Sequence, residues 1–308
     1  MYTIGLVGYG RWGKVLSREI QSHHRLRLAS ICHPSAKEDK EFFFTSLDDL
    51  IESSNPDAVV IAAPLKYRGD LIRTALMANK SVLTEKPIAG SADEAKLLAK
   101  IAKARQLTLH TNYVHAYSQG VSHAIDHLHE LGELESIDIV MNQPGPTYAA
   151  EGPISLLVSH GFAIAIRSIA GDNNLIDLDL RHCCEASNKR MAYVEGFFPA
   201  HGLKLKITAN IAHPLRQRSI DYILSKGTMS IQLTGPASGV WTCFSRSPIN
   251  SDNSIPDTAG IKLDETKNIC NVISDFVVAM DRNATGNIML AISVQNALQQ
   301  CKVLQMQE

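Results

Sequence analysis

Residues 3–13 of the chain read Thr-Ile-Gly-Leu-Val-Gly-Tyr-Gly-Arg-Trp-Gly, and this stretch decides the fold. Its first half is a short apolar run that predicts a buried strand. Apolar residues then recur at helical spacing, at Val15, Leu16 and Ile20. A strand, a glycine turn and a helix in this order are the context in which G-x-G-x-x-G binds a dinucleotide. The glycines let the backbone approach the pyrophosphate, and the helix N-terminus offers it unpaired N–H groups. We expect cofactor contacts in this turn from Gly8, Gly10, Arg11, Trp12 and Gly13.

Length and composition exclude several classes of protein. The chain has 308 residues, enough for two domains, and 45% hydrophobic with 20% charged residues is typical of a globular protein. A net charge of -1 gives no basic footprint for nucleic acid. Apolar runs are too short to cross a bilayer, and the first strand begins by residue 3, so we expect no signal peptide. The six cysteines and twelve histidines show no metal-ligand spacing. These features predict a cytoplasmic protein with reduced thiols and no metal.

The patterning changes along the chain. Strand patterns at 3–8, 26–32, 57–63, 81–85 and 107–112 alternate with helical patterns near 12–22, 46–53, 68–78 and 91–105. This alternation predicts a parallel, doubly wound Rossmann sheet. Ser91 and Glu94 are placed to form a capping box at the last of these helices.

After about residue 130, strand-like segments follow one another without helices between them, which implies an antiparallel or mixed sheet. They lie at 134–142, 175–183, 191–198, 203–212, 219–225 and 228–233, and helical patterns lie at 154–170, 265–282 and 287–306. Residues 246–263, rich in Ser, Pro, Asn and Asp, predict a long surface loop. We therefore expect an α/β protein with a Rossmann domain at 1–119. An α+β domain with a large, open, mostly antiparallel sheet is expected at 120–308, for substrate binding and oligomerisation.

Further motifs match those of a known family. Ala62-Ala63-Pro64 and residues 79–87, Asn-Lys-Ser-Val-Leu-Thr-Glu-Lys-Pro, follow the glycine turn, and a histidine lies at 160. Together these motifs resemble the Gfo/Idh/MocA family of NAD(P)-dependent oxidoreductases, which act mostly on sugars, polyols and their derivatives. The likeness covers nearly the whole chain. Tyr9-Gly-Arg-Trp-Gly13 and His213-Pro-x-Arg-x-Arg218 look most like the branch that contains nucleotide-sugar dehydrogenases.

The resemblance implies that Lys86 lies near the nicotinamide and the reacting carbon. An ammonium there polarises a carbonyl or favours ionisation of a substrate hydroxyl as hydride leaves, and a buried lysine shares the proton transfer. In this family the peptide bond before Pro87 is often cis. His160 follows Ser159, a candidate N-cap, and a helix N-terminus there would keep the imidazole neutral. Taken alone, His160 could equally be a packing residue, and the resemblance makes it an acid/base or a substrate ligand.

The resemblance implies other contacts as well. The loop 63–68 is expected beside the nicotinamide, with Arg68 where the family usually carries a histidine. Further cofactor contacts are expected from Ala63, Pro64, Arg68, Glu85, Lys86 and Asn112. His115 and Tyr117 are expected to line the substrate cleft. Arg216 and Arg218 could meet an anionic substrate or form a solvated face.

Two departures from the family pattern concern the chemistry and the cofactor. Many dehydrogenases of the family carry an aspartate four residues before this histidine, where the chain has Leu156. Either His160 and Lys86 suffice, another group substitutes, or alcohol oxidation has been lost. A carboxylate that binds an NAD ribose is expected about 20 residues beyond the glycines, but the chain has no acid there until Glu38. His33, Ser35 and Lys37 could instead surround a 2′-phosphate, which favours NADP over NAD.

The sequence thus predicts an oxidoreductase that moves a hydride between NAD(P) and a carbinol or carbonyl carbon of a sugar, polyol or nucleotide-sugar-like substrate. One alternative is a cofactor-binding regulator or sensor that kept the fold and lost the chemistry. Another is a reductase of an imine or conjugated double bond, which asks less of a carboxylate base. Because a large apolar sheet face is rarely left uncovered, we expect a homo-oligomer through the C-terminal sheet.

Overall fold

The computed structural model describes residues 1–34, 42–144, 152–186, 188–234, 239–244, 259–262 and 267–306. The chain forms two compact units, Met1–Tyr113 with Ile269–Gln295, and Val114–Asn268 with Asn296–Glu308. The division therefore falls at Tyr113/Val114 rather than at the expected 119/120, and a late segment belongs to the first unit. Within the described part of the chain, no helix has both the length and the apolar character needed to cross a membrane.

The first unit is doubly wound, as the alternating pattern predicted. Its six parallel strands lie in the order β3-β2-β1-β4-β5-β6, which is the order of dinucleotide-binding domains. The strands are β1 Tyr2–Val7, β2 Leu26–Cys32, β3 Phe43–Phe44, β4 Ala58–Ile61, β5 Ser81–Glu85 and β6 Leu109–Asn112. The helices are α1 Arg11–Ser22, α2 Leu47–Ser54, α3 Leu65–Met77 and α4 Ala92–Ala104. β3, with two residues, is too short to give a sequence pattern.

Local signals explain where these elements begin. All four residues of β4 are buried, as a strand covered on both faces of a parallel sheet requires. Ser91 caps α4 by accepting from the Glu94 N–H at 3.2 Å. The Glu94 carboxylate returns to the Gly90 N–H at 2.8 Å, one residue earlier than a capping box needs. The predicted hydrogen bond from the Glu94 N–H to the Ser91 side chain is therefore confirmed. The Glu94 side chain, however, accepts from the Gly90 N–H and not from the Ser91 N–H.

The second unit is built on an eight-stranded sheet in the order β14-β13-β12-β11-β7-β10-β9-β8. β7 and β10 pair in parallel and the other neighbours are antiparallel. The strands are β7 Leu134–Asn142, β8 Asp179–Glu185, β9 Met191–Phe198, β10 Leu203–Asn210, β11 Gln217–Leu224, β12 Gly227–Gln232, β13 Gly239–Phe244 and β14 Ala259–Lys262. β14 corrects the end of the predicted loop 246–263, because ladder pairing with β13 makes those residues a strand. Residues 246–258 lie outside the described part.

Helices cover one face of this sheet. α5 Gln119–His127 leads into a 3-10 turn at Leu128–Leu131, and a π-helix at Ile154–Val158 continues directly into α6 Ser159–Ala170. α6 packs closely on β10, since a Cβ on Gly161 would lie 2.9 Å from Ile207. The Ser168 hydroxyl lies 2.8 Å from the Tyr222 hydroxyl of β11. α6 therefore runs across the sheet from β10 towards β11.

Two helices end the chain, α7 Asn268–Asp281 and α8 Ile288–Gln305. The segment between them completes the edge of the parallel sheet at β6. The Thr108 hydroxyl donates to the Ala284 carbonyl at 2.7 Å. The Asn287 side chain accepts from the Thr111 N–H at 2.7 Å and donates to the Thr111 carbonyl at 2.9 Å. Because buried backbone groups need partners, this edge pairing assigns residues 269–295 to the first unit.

Candidate functional site

The glycine turn lies between β1 and α1, and each glycine has its own steric reason. Gly8 has φ +91°, and a Cβ there would lie 2.6 Å from the Ala62 carbonyl oxygen. A Cβ on Gly13 would lie 2.0 Å from the Gly8 carbonyl oxygen, so α1 reaches the turn only with glycine. At Gly10, which precedes α1, no described atom lies within 4 Å of the Cβ position. The turn is closed on the protein side and open at the helix N-terminus, which fits a phosphate group.

The other residues predicted around this turn differ in position. Arg11 and Trp12 are exposed in the first turn of α1, and Trp12 is 51% exposed. His33 follows β2, and its backbone N–H donates to the Phe44 carbonyl at 2.9 Å. Ser35 and Lys37 lie outside the described residues. Their part in recognising a 2′-phosphate therefore stays a prediction.

Polar side chains meet at the carboxyl ends of β5 and β6. The register pairs Glu85 with Asn112, and the Asn112 amide donates to the Glu85 carboxylate at 2.7 Å. Burial raises the pKa of Glu85, against the Asn112 hydrogen bond and the charges of Arg68 and Lys86. The buried Asn112 Oδ1 accepts no hydrogen bond within the described part of the chain. This strand end thus holds a carboxyl group that keeps its proton to a higher pH than an exposed glutamate does.

Lys86 follows this carboxylate in a bend after β5 and is half-buried. The Lys86-Pro87 peptide bond is cis, as the resemblance implied. Lys86 therefore leaves β5 at the same sheet edge as the glycine turn, because the carboxyl ends of parallel strands share one edge. The strand order thus places Lys86 where the motifs in the sequence predicted it.

Arg68, which is expected beside the nicotinamide, donates hydrogen bonds to two backbone carbonyls of the protein. Its side chain is buried, one guanidinium nitrogen donates to the Ala63 carbonyl at 2.8 Å, and the other donates to the Pro87 carbonyl. Ala63 and Pro64 lie in the loop after β4, and Pro87 lies in the loop after β5. Arg68 thus ties together the two loops that end at this sheet edge. We interpret it as the residue that positions the loop carrying Lys86.

In the second unit, His160 lies inside a helix rather than at its start. The π-helix precedes α6 without a break, and the Ser159 hydroxyl donates to the Ser155 carbonyl at 2.7 Å. The predicted N-cap at Ser159 is therefore wrong, because Ser159 has helical backbone and bonds within the helix. A neutral imidazole cannot be inferred from the helix dipole, whose effect is confined to the terminal turn. Leu156 lies in the π-helix, a form often found at functional sites.

His160 and His115 are neighbours. Their ring centroids lie 4.8 Å apart with an interplanar angle of 68°, and the His160 residue is 8% exposed. The structure thus brings together two residues that the sequence predicted to serve the substrate, although 45 positions of chain separate them. Two adjacent imidazoles offer donor and acceptor nitrogens for a hydroxyl group and for proton exchange.

Tyr117, also predicted to line the substrate cleft, lies in a buried network instead. Its hydroxyl donates to the Asp172 carboxylate at 2.7 Å, and the Arg167 guanidinium lies 4.2 Å from the centre of its ring. Arg167 also donates to Asp172 at 3.2 Å and to the Ala116 carbonyl at 2.9 Å. This network holds the turn that carries His115. Arg167 and Asp172 were missed in the sequence because nothing local marks a helix end that pairs with a turn so far away.

Arg216 and Arg218 differ in their exposure to solvent. Arg216 is exposed, as a solvated face would have it, while Arg218 is half-buried on β11. In the described ranges, no group of three or more His, Cys, Asp and Glu side chains is arranged to hold a metal ion. The candidate chemical groups described above are Lys86 in one unit and the histidine pair, His115 and His160, in the other.

Comparison with known proteins identifies similar chains. Residues 2–113 match the family described as oxidoreductase family, NAD-binding Rossmann fold (GFO_IDH_MocA). Inositol 2-dehydrogenase from Rhizobium meliloti is 28% identical over 149 residues, 46% of this chain and 45% of the relative. 2,7-Anhydro-N-acetylneuraminate hydratase from Escherichia coli is 28% identical over 129 residues, 40% of this chain and 35% of the relative. The chain thus aligns with less than half the length of either protein.

Solved structures share the fold over nearly the whole chain. UDP-N-acetylglucosamine 3-dehydrogenase GnnA from Acidithiobacillus ferrooxidans matches with a TM-score of 0.81 at 17% identity, covering 99% of this chain and 97% of that chain. KijD10, a 3-ketoreductase from Actinomadura kijaniata in complex with TDP-benzene and NADP, matches with a TM-score of 0.76 at 18% identity, covering 97% and 96%. Both the parallel and the mostly antiparallel sheet are therefore features of a known two-part architecture.

Proposed function

We propose that this protein is an NAD(P)-dependent oxidoreductase, because its residues 2–113 match the Gfo/Idh/MocA oxidoreductase family. The hydride moves between the nicotinamide and a carbinol or carbonyl carbon of a sugar, polyol or nucleotide-sugar-like substrate. The observation that carries the proposal is the open glycine turn at Gly10 on the sheet edge where Lys86 leaves β5. Two proteins of the same fold are named as a dehydrogenase and a ketoreductase, which supports the reaction class.

The residues of the turn fit a dinucleotide. When bound, the nicotinamide group supplies or accepts the hydride. The first-turn N–H groups of α1 hold the pyrophosphate, since Gly10 leaves that side open. We favour NADP because the chain offers no acid directly after β2 for a ribose hydroxyl, and His33 lies there instead. The KijD10 complex with NADP supports the same choice.

We assign the chemical step to three side chains, those of Lys86, Glu85 and His160. The Lys86 ammonium donates to the substrate oxygen and stabilises the negative charge that develops on it. Glu85, whose carboxyl group carries a raised pKa, lies next to Lys86 in the chain and supports a proton path away from it. His160, beside His115, exchanges a proton or holds a hydroxyl group. Since Leu156 supplies no carboxylate, we assign the role of base to these side chains.

Cofactor binding and turnover test the proposal separately. NADPH and NADH are titrated by their fluorescence, and a panel of sugars, polyols, UDP-sugars and TDP-sugars is then assayed for a change in the nicotinamide absorbance. We expect tighter binding of NADPH than of NADH and turnover of at least one substrate. Binding without turnover on the whole panel would contradict the enzyme and support the cofactor-binding sensor.

Two further arms address other reactions. Imines and conjugated double bonds are assayed in the same way, since turnover of these alone would support the alternative reductase. Products are also analysed by mass spectrometry, because one relative is named as a hydratase and a hydration leaves the net amount of NAD(P)H unchanged. We also propose a cytoplasmic homo-oligomer that assembles through the C-terminal sheet. A monomeric sedimentation profile at micromolar concentration would contradict that assembly.

A further inference from the structure

Arg218 is a half-buried cation that no carboxylate in the described part of the chain meets. It is the second residue of β11, and one of its terminal nitrogens donates to the Gln143 side-chain oxygen at 3.1 Å. Its Nε is buried and donates to no described acceptor. Arg218 takes part in none of the ion pairs found among the described residues. An arginine fork in this state has donors left for a ligand.

The charge of Arg218 is costly where it lies. Burial lowers the pKa of Arg218 to about 10, and the positive charge of Arg216 acts in the same direction. Arg167 in the same unit shows the usual arrangement, because Asp172 meets its charge at 3.2 Å. A buried charge without a partner lowers stability. Two neighbouring cations that form an ion pair with no described carboxylate therefore match a ligand that carries more than one negative charge.

The register places Arg218 on the same face of the sheet as α6. Arg218 lies two and four residues before the buried Ile220 and Tyr222 on β11, so all three side chains take the same face, and the Tyr222 hydroxyl meets α6. Ile220 pairs with Ile139 of β7, which pairs in turn with Ile207 of β10. Gly161 packs on that Ile207. The helix residue directly before Gly161 is His160, so the histidine pair and Arg218 share one face.

The distance along this face between Arg218 and Ile207 matches the length of an extended ligand. Arg218 lies two strands across from Ile207 and two residues further towards the sheet end. With about 4.8 Å between strands and about 3.3 Å per residue, the two Cα atoms lie roughly 12 Å apart. An arginine side chain and a phosphorylated sugar together bridge that distance.

We propose that Arg218, with Gln143, binds the phosphate or diphosphate group of the substrate. The substrate is then a sugar phosphate or a nucleotide-linked sugar and not a neutral sugar or polyol. Arg216 adds a second positive charge at the mouth of the same site, which matches the double charge of a diphosphate better than the single charge of a sugar acid. The identity of the reacting carbon rests on the proposed function, but the binding of the anion does not.

Calorimetric titration of the full chain tests the anion site. UDP, inorganic pyrophosphate and glucuronate are titrated at fixed ionic strength, with NADPH present so that the dinucleotide site is filled. We expect UDP and pyrophosphate to bind and glucuronate to bind more weakly. Arg218→Met should weaken UDP binding about 10- to 100-fold, as expected for the loss of charge-assisted hydrogen bonds. Arg181→Met, which removes an exposed arginine of β8 at the far edge of the sheet, should leave it unchanged.

Stability separates binding from a structural role. Because Arg218 pairs with no carboxylate in the described ranges, Arg218→Met without ligand should melt at or above the temperature of the unmodified protein. Arg218→Lys should keep part of the affinity. The inference is overturned if UDP and pyrophosphate fail to bind, if glucuronate binds more tightly, or if Arg218→Met binds UDP normally. Turnover of a neutral sugar without UDP binding contradicts this inference alone. UDP binding without any turnover contradicts the proposed function alone.

Discussion

Two segments carry the candidate chemical groups, residues 85–87 in the first unit and 114–118 in the second, and an arginine holds each of them. Arg68 donates to the carbonyls of Ala63 and Pro87, and Arg167 donates to the carbonyl of Ala116. The difference lies in the charge. Arg167 is neutralised by Asp172, whereas the charge of Arg68 acts on the Glu85 carboxylate beside Lys86.

The two regions therefore differ in the charged and hydrogen-bonding groups that they offer to a substrate. The first region combines two cations and a carboxyl group of raised pKa, so we propose that it acts on developing charge and on protons. The second region carries His115 on a turn held by the network of Tyr117, Arg167 and Asp172, and the His160 ring of α6 lies beside it. We therefore expect it to hold a hydroxyl group and to exchange a proton. The following substitutions separate these roles, and their expected effects decrease in order.

The largest effect is expected for Lys86→Met. Without the ammonium, the charge on the substrate oxygen is no longer stabilised, and kcat should fall about 10²- to 10⁴-fold. NADPH affinity and the melting temperature should change little, because Lys86 is half-buried in a bend. The matched control is Lys100→Met, which removes an exposed lysine of α4 and should keep full activity. Normal turnover by Lys86→Met would remove the first region from the chemistry.

A smaller effect, on stability, is expected for Arg68→Met. Two carbonyls lose charged donors in a buried place, so the free energy of unfolding should fall by about 2–4 kcal/mol in urea denaturation. Arg73→Met, on the exposed side of the same helix, removes only a surface ion pair with Asp70 and should cost less than about 0.5 kcal/mol. Equal effects of the two substitutions would show that Arg68 does not hold the loops after β4 and β5.

The smallest effect is expected for Tyr117→Phe. One hydrogen bond to Asp172 is lost while Arg167 still meets both the carboxylate and the ring, so the cost should be about 1 kcal/mol. Tyr67→Phe, at an exposed tyrosine, is the control and should cost nothing measurable. KM for the sugar substrate should stay the same in both variants. A clear rise in KM for Tyr117→Phe alone would return Tyr117 to the substrate cleft and end the contrast between the regions.

The glycine turn, the parallel sheet and most strands of the second sheet could be predicted from the sequence, because they depend on patterns within short stretches of the chain. A strand, a glycine turn and a helix specified the dinucleotide fold, because each glycine answers a steric demand within the same short stretch. The parallel order then placed Lys86 at the same edge, since parallel strands end together. Strand-like patterns likewise predicted six of the eight strands described in the second sheet, β7 to β12, but not β13 or β14.

Only the tertiary structure decided which distant groups meet. Asn287 completes the edge of β6 from 176 positions away. The π-helix puts His160 in a helix interior, although Ser159 has the chemistry of an N-cap. The Arg68 and Tyr117 side chains donate hydrogen bonds to other groups of the protein, whereas the Nε of Arg218 donates to no described acceptor. Alternation tells which face a side chain takes, but burial and hydrogen bonding depend on what packs against that face, and this is set by contacts between residues far apart in the chain.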